Sequence, residues 1–165
     1  HDESVRHILF ELSQAKPTIA VLTDHACSAG YLMAAACRQI VIPVNGLAGS
    51  IGVISMHVDM SKWLAKEGLH VTIMKAGARK ADFNPYEKLP DDVLERELAD
   101  MEEMRVAFAE TVARFRSGRI TADAALATEA DIYRGARAVE IGLADAVGRP
   151  SQVLAAFAEE LARAA

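Results

Sequence analysis

Apolar positions recur at helical spacing over residues 4–15, at Val5, Ile8, Leu9 and Leu12, with Ser4 placed as a cap. The pattern then changes period. Residues 18–23 form a short apolar run behind Pro17 and predict a buried strand; residues 39–44 predict a second, ended by Asn45-Gly46. Between them, residues 28–37 are small or apolar throughout and suit a buried helix pressed closely by its neighbours. After a loop through Gly49-Ser50-Ile51-Gly52, residues 53–58 and 69–74 read as two further strands flanking a helix over 60–67. That helix starts at Asp59 or Ser61 and stops at Gly68, and a polar loop over 75–90 follows.

The second half is mostly helical. Residues 91–117 predict one long amphipathic helix, with Asp91 and Asp92 in its first turn and Gly118 closing it. A capped short helix over 121–128, a brief strand over 131–134, a helical turn over 135–142 and an Ala-rich helix over 151–165 complete the chain. Strands alternating with helices predict an α/β fold with a mostly parallel sheet. At 165 residues the chain reads as a single domain, 1–165.

Ser28 stands at a predicted strand-to-helix junction, where the first helical amides lack intrahelical partners. A hydroxyl there either caps the helix, the commoner use, or acts as a nucleophile whose oxyanion those amides receive. Its neighbour Cys27 and the second cysteine, Cys37, would lie about 15 Å apart on one helix, too far for a disulfide, and so read as free thiols of a reducing compartment. Neither the cysteines nor the five histidines fall at metal-ligand spacing, so no metal is expected. A net charge of -5 without a basic run argues against nucleic acid. No apolar stretch approaches the ~20 residues of a membrane span, and neither a signal peptide nor a membrane anchor is expected in this chain. The chain opens on His1 rather than Met, which reads as a piece of something longer.

A serine nucleophile needs a base. His25 lies three residues upstream, but proximity in sequence means little, because such groups meet in space from distant segments. Asp24 reads as loop polarity. A lysine serves only where desolvation leaves its amine neutral. Lys75 and Lys80, around Ala76-Gly77-Ala78, follow an apolar run whose exit would share a sheet edge with Ser28. The residues alone leave the choice between these lysines open, with a solvated loop as the default for both.

Three ordered segments carry a resemblance. Ala26-Cys27-Ser28-Ala29-Gly30-Tyr31, Gly49-Ser50-Ile51-Gly52-Val53 and Lys75-Ala76-Gly77-Ala78-Arg79-Lys80 with Asn84-Pro85 resemble the signatures of the signal peptide peptidase A family. These are serine peptidases with a Ser-Lys dyad on a fold related to Clp protease and crotonase. His57-Val58-Asp59-Met60-Ser61, Asp82-Phe83-Asn84-Pro85-Tyr86 and Leu89-Pro90 look more like the phage branch, the prohead peptidases or minor capsid protein C. Gly142-Leu143-Ala144-Asp145 resembles the family's C-terminal portion, so the likeness covers nearly the whole chain.

The resemblance implies Ser28 as nucleophile and Lys80 as general base. Ser50 falls on the serine that hydrogen-bonds the dyad lysine, Ala29 supplies an oxyanion amide, and Lys75 is not the base. It implies no cofactor. Such a base works neutral, which burial among small and apolar residues would favour. Gly30 and the following alanines would let the helix start approach neighbouring backbone. The family's Ser-Pro-Gly-Gly segment, which completes the oxyanion site, and the strands before it are missing here. The implied function is a serine endopeptidase working through an acyl-enzyme on scaffold and capsid proteins. It would be a cytoplasmic, phage- or prophage-encoded protein that assembles as a homo-oligomer. The alternatives are a host peptidase degrading signal peptides and a non-catalytic crotonase-like module for capsid assembly. An acyl-CoA enzyme on the same fold would need acidic catalytic residues and a CoA groove, for which no motif is present.

Overall fold

The computed structural model describes residues 4–164. Helix α1 (Val5–Ala15) forms where the periodicity predicts it. Only part of its apolar stripe is used: Leu9 and Phe10 pack on the core, whereas Val5, Ile8 and Leu12 stay exposed. Ser4 precedes the helix but makes no side-chain cap bond; its hydroxyl meets His7 Nδ1 at 3.1 Å.

Strand β1 (Ile19–Val21) leads into β2 (His25–Cys27) and then helix α2 (Ala29–Ala35). Strands β3 (Gln39–Ile42) and β4 (Leu47–Gly49) follow. After α3 (Ser61–Lys66) and α4 (Asp91–Phe115) come α5 (Ala122–Leu126), β5 (Ile132–Arg134), α6 (Gly135–Glu140), β6 (Ala146–Val147) and α7 (Pro150–Ala164). The strands form two sheets of three, ordered β1-β3-β6 and β2-β4-β5. Every pairing is parallel except β4 with β5, so the architecture is the α/β, mostly parallel one expected.

The long helix begins with Asp91 and Asp92 in its first turn, as read. The Thr121 hydroxyl caps α5, accepting from the Ala124 amide at 3.1 Å. Strands β2 and β4 were not foreseen: His-Ala-Cys and Leu-Ala-Gly are weak strand formers, and only their mutual pairing makes them strands. Cys27 therefore closes β2 rather than lying on a helix with Cys37; both thiols are free.

The chain divides into two compact units. Val53–Met104 is one, and the chain up to Gly52 together with that from Arg105 onward is the other. The larger unit holds the core, with Tyr31, Ile40, Ile42, Ala48, Ile51, Val112 and Leu143 all at 0% exposure. Phe115, at the end of α4, stacks on Phe10 of α1 with ring centroids 4.5 Å apart. Two residues past Phe115 is too late for the helix, and Gly118 turns the chain at φ 79°.

Arg116 is the largest fully buried side chain in this unit. Its guanidinium grips the Asp145 carboxylate with two bonds of 2.8 and 2.9 Å and also donates to the Gly142 carbonyl. Asp145 further accepts the Ile40 amide at 2.6 Å and pairs with Arg119 at 2.5 Å. Burial pushes the Asp145 carboxyl up. The Arg116 hydrogen bond, the Ile40 amide and the charges of Arg116 and Arg119 outweigh it and hold the group below its ordinary value. Gly142 sits at φ 85°, and a Cβ there would collide with the Arg119 carbonyl, so the turn into this network requires glycine.

The smaller unit buries little: Leu64 of α3 and Val93 of α4 are its buried apolar side chains among the described residues. Residues 53–58 and 69–74, expected as strands, pair with nothing among the described residues. Ile54, Met56 and Met74 are 85%, 86% and 92% exposed. Alternation alone misled here, since a strand exists only through its partner. The loop over 75–90 is tied down by side chains. Arg96 of α4 pairs with Asp82 at 2.5 Å, His57 Nε2 meets the Asn84 carbonyl at 2.9 Å, and Asn84 bonds the Ala81 carbonyl at 2.7 Å and the Tyr86 amide at 2.9 Å.

Breaking the buried pair from one side should be severe. Asp145→Asn leaves the Arg116 charge uncompensated and is expected to cost about 3 to 5 kcal/mol in urea unfolding. Because the folded carboxyl is depressed, its stabilisation is present above the unfolded value near ~3.9 and is lost as pH falls through the lower folded one. The parent and Asp145→Asn unfolding free energies should therefore converge in strong acid; a gap independent of pH would refute this account.

Candidate active site

Strands β2 and β4 run parallel with Cys27 opposite Gly49, so the residues after them, Ser28 and Ser50, leave the sheet side by side. The Ser28 amide donates to the Gly49 carbonyl at 2.9 Å, and the Ser50 amide donates to the Asp131 carbonyl at 2.9 Å. Neighbouring strands lie ~4.8 Å apart, which sets the spacing of the two serines' backbones. Gly49 itself, at φ 129°, would drive a Cβ into the Asp131 carbonyl, so glycine is needed for β4 to lie this close to β5.

Both serines have left-handed backbone: φ is 53° at Ser28, with ψ at -127°, and 57° at Ser50. A side chain in such a region costs of order 1–3 kcal/mol and persists where the surroundings enforce it. At Ser28 the effect is a sharp strand-to-helix elbow that carries the hydroxyl out of the sheet, leaving Ser28 and Ala29 exposed. The hydroxyl makes no cap bond to α2. This is the reverse of Thr121, whose hydroxyl does cap its helix. The commoner reading of Ser28, capping, is thus not what the structure holds.

The first bond of the α2 helix runs from the Leu32 amide to the Ser28 carbonyl at 3.1 Å. The amides of Ala29, Gly30 and Tyr31 precede it, in the turn where helices leave donors unused. A Cβ on Gly30 would meet nothing within 4 Å, so that glycine does not serve a close approach, contrary to the expectation. It leaves the ground above the helix start open.

Two other reactive side chains stand near Ser28 in sequence. Burial pushes the Cys27 thiol up, away from the thiolate that a cysteine nucleophile requires. His25 pairs with Asp24 at 3.3 Å, both exposed, which looks like the start of a relay. But His25 opens β2 and Ser28 follows its end, about 10 Å of extended chain away. Asp24 and His25 do not reach the serine by that route.

Lys80 lies in the smaller unit, on the turn closed by the bond from its amide to the Gly77 carbonyl at 3.2 Å. Its side chain, like that of Lys75, is exposed. Burial among small and apolar residues, expected of Lys80, is not found, because the run before it joins no sheet. It follows that Lys80→Met relieves no desolvation cost and should leave stability unchanged. Among the described residues no cluster of three or more His, Cys, Asp or Glu could hold a metal, and no helix is long and apolar enough to cross a membrane. The Arg116–Asp145 network was not anticipated; Asp145 was noticed only within a resemblance, and no local pattern marks an arginine as buried.

Substituting Ser28 tests the elbow directly. Ser28→Gly relieves the left-handed backbone and should raise stability by about 1 kcal/mol, while Ser28→Ala should be near neutral, since no cap is lost. Destabilisation of Ser28→Ala by about 1 kcal/mol in chemical denaturation would restore the capping role.

The model of the family described as Peptidase family S49 matches residues 11–164. The chain is 35% identical over 154 residues to the head-tail preconnector protein GP5 of Enterobacteria phage P21, covering 93% of this chain and 30% of that protein. It is 36% identical over 138 residues to the capsid assembly protease C of Escherichia phage lambda, covering 84% of this chain and 31% of that protein. The chloroplastic serine protease SPPA of Arabidopsis thaliana is 32% identical over 146 residues, covering 87% of this chain and 21% of that protein. The chain thus spans about three tenths of the length of the two phage relatives. A crystal structure of an enoyl-CoA hydratase/isomerase family member aligns at a TM-score of 0.43 with 17% identity, over 96% of this chain and 42% of that one.

Proposed function

From the premise that the chain belongs to peptidase family S49, we propose that it carries the nucleophile and base of a serine endopeptidase with a Ser-Lys dyad. The observation that carries this reading is the elbow at Ser28: an exposed hydroxyl on strained backbone at a strand-to-helix junction, free of capping. Strain of that kind gathers where side chains must be presented to a reactant.

In this mechanism Lys80 takes the Ser28 proton as Ser28 Oγ attacks the scissile carbonyl. The Ala29 amide donates to the oxyanion, which concentrates stabilisation where charge develops. Collapse of the tetrahedral intermediate expels the amine, protonated by Lys80, and leaves an acyl-enzyme that water hydrolyses. Ser50, in register beside Ser28, hydrogen-bonds the lysine amine and aims its lone pair. Because Lys80 is exposed, substrate or further protein surface must dehydrate it before it acts.

The likeness to a capsid assembly protease and a head-tail preconnector protein supports scaffold or capsid proteins of a phage head as the substrates; a bacterial cytoplasm as the setting and the lack of a cofactor are part of this proposal. Copies of the chain associate in this reading. Light scattering should give more than the monomer mass at high micromolar concentration, and a monomer there would count against it. The exposure of Lys80 favours a second reading, an assembly module that shares the fold without hydrolysing anything.

One experiment separates the two readings. Expressed at the length its gene encodes, the protein should cleave a co-expressed scaffold protein. Ser28→Ala and Lys80→Ala should each lower the rate at least 1,000-fold, by the order lost when such groups are removed, while His25→Ala stays near the parent. Cleavage that survives Lys80→Ala would remove the dyad, and no cleavage by the parent would leave the assembly module.

A further inference from the structure

We infer that Tyr31 is a positioning residue for the nucleophile, acting through the first turn of α2; the inference rests on the reading of Ser28 above. The helix is seven residues long, too short to hold itself together, and its leading residues Ser28, Ala29 and Gly30 are exposed. Tyr31 is the first residue of the turn that points inward, at 0% exposure. Its hydroxyl donates to the Leu143 carbonyl at 3.0 Å. Leu143 lies between Gly142, whose carbonyl Arg116 holds, and Asp145, whose carboxylate Arg116 and Arg119 hold. The acceptor is therefore part of a braced loop and not a mobile one.

Two anchors fix the elbow from its other side: the Ser28 amide on the Gly49 carbonyl and the Leu32 amide on the Ser28 carbonyl. Neither fixes the rotation of the first turn about its own axis. Tyr31, three residues past Ser28 and pinned at its tip, does. That rotation sets where the Ala29 amide points, and hence whether it faces an oxyanion formed on Ser28. Burial raises the phenol above its ordinary value, so the hydroxyl stays a donor across the working pH range.

Tyr31→Phe keeps the ring and removes the pin. The probe is a fluorophosphonate: Ser28 Oγ bonds phosphorus, the P–F bond breaks, fluoride leaves and the serine proton goes to the base. The limiting rate of labelling should fall about fivefold, the worth of one hydrogen bond, while the half-saturating probe concentration stays put. Phe115→Leu, which loosens the core where α4 stacks on α1, serves as the stability control and should label at the parent's rate. In amide NMR, the Ser28, Ala29 and Gly30 signals should broaden in Tyr31→Phe and not in Phe115→Leu. Parent-like labelling with unchanged signals in Tyr31→Phe overturns the inference alone, as does equal slowing in Phe115→Leu. A parent chain that labels elsewhere than Ser28, or not at all, overturns the nucleophile assignment and the inference with it.

Discussion

The pairing of Arg116 with Asp145 is the constraint on which the larger unit turns. A guanidinium at 0% exposure is tolerable only if its charge is matched and its donors are used, and here the carboxylate and the Gly142 carbonyl do both. The consequence is geometric. Asp145 also takes the Ile40 amide, so the end of α4, the start of β3 and the loop before β6 meet at one point. These are segments distant in sequence, and no apolar packing alone would specify their register so narrowly. Through Leu143 and Tyr31 the same point reaches the start of α2. A buried ion pair is weak evidence for net stability, but it is effective at excluding alternatives, because any slip leaves a charge bare.

Much of the helical framework was legible because helices announce themselves locally. Residues 5–15, 91–115 and 150–164 carry the helical period in their own sequences. Strands are different. Thr18–Thr23 and Gln39–Val44 could be read because β-branched residues cluster there, whereas His25–Cys27 and Leu47–Gly49 could not, since their pairing energy is held in the partner. Residues 53–58 and 69–74 failed in the opposite direction: they alternate well and have no partner among the described residues. The same mistake underlay the placement of Lys80 at a buried sheet edge.

The candidate site was legible in a different currency. Ser28, Ala29, Ser50 and Lys80 were drawn from ordered motifs, and nothing in their composition distinguishes a nucleophile from a cap. What sets Ser28 and Ser50 apart is conformation, and left-handed φ at a serine is invisible in a sequence that spells Cys-Ser-Ala. Two serines in that conformation, at the ends of paired parallel strands, form a local arrangement that packing does not require. A glycine at either position would satisfy the backbone with less strain. That a hydroxyl stands there instead is an argument for use.

The use cannot be completed by the serine pair alone. In the proposed mechanism a hydroxyl on a strained elbow still needs a second group to take its proton. The smaller unit, which holds Lys80, has few buried side chains, two unpaired apolar runs and a turn pinned by Arg96, Asp82 and Asn84. Rigidity in the turn and exposure at its tip are a coherent combination. In the proposed dyad an exposed Lys80 needs water removed around its amine before it can act, and the smaller unit also exposes apolar side chains such as Ile54 and Met56 that a polypeptide could cover. On the proposed dyad, occupancy by a bound polypeptide would supply the dehydration of Lys80 that the fold of the smaller unit does not.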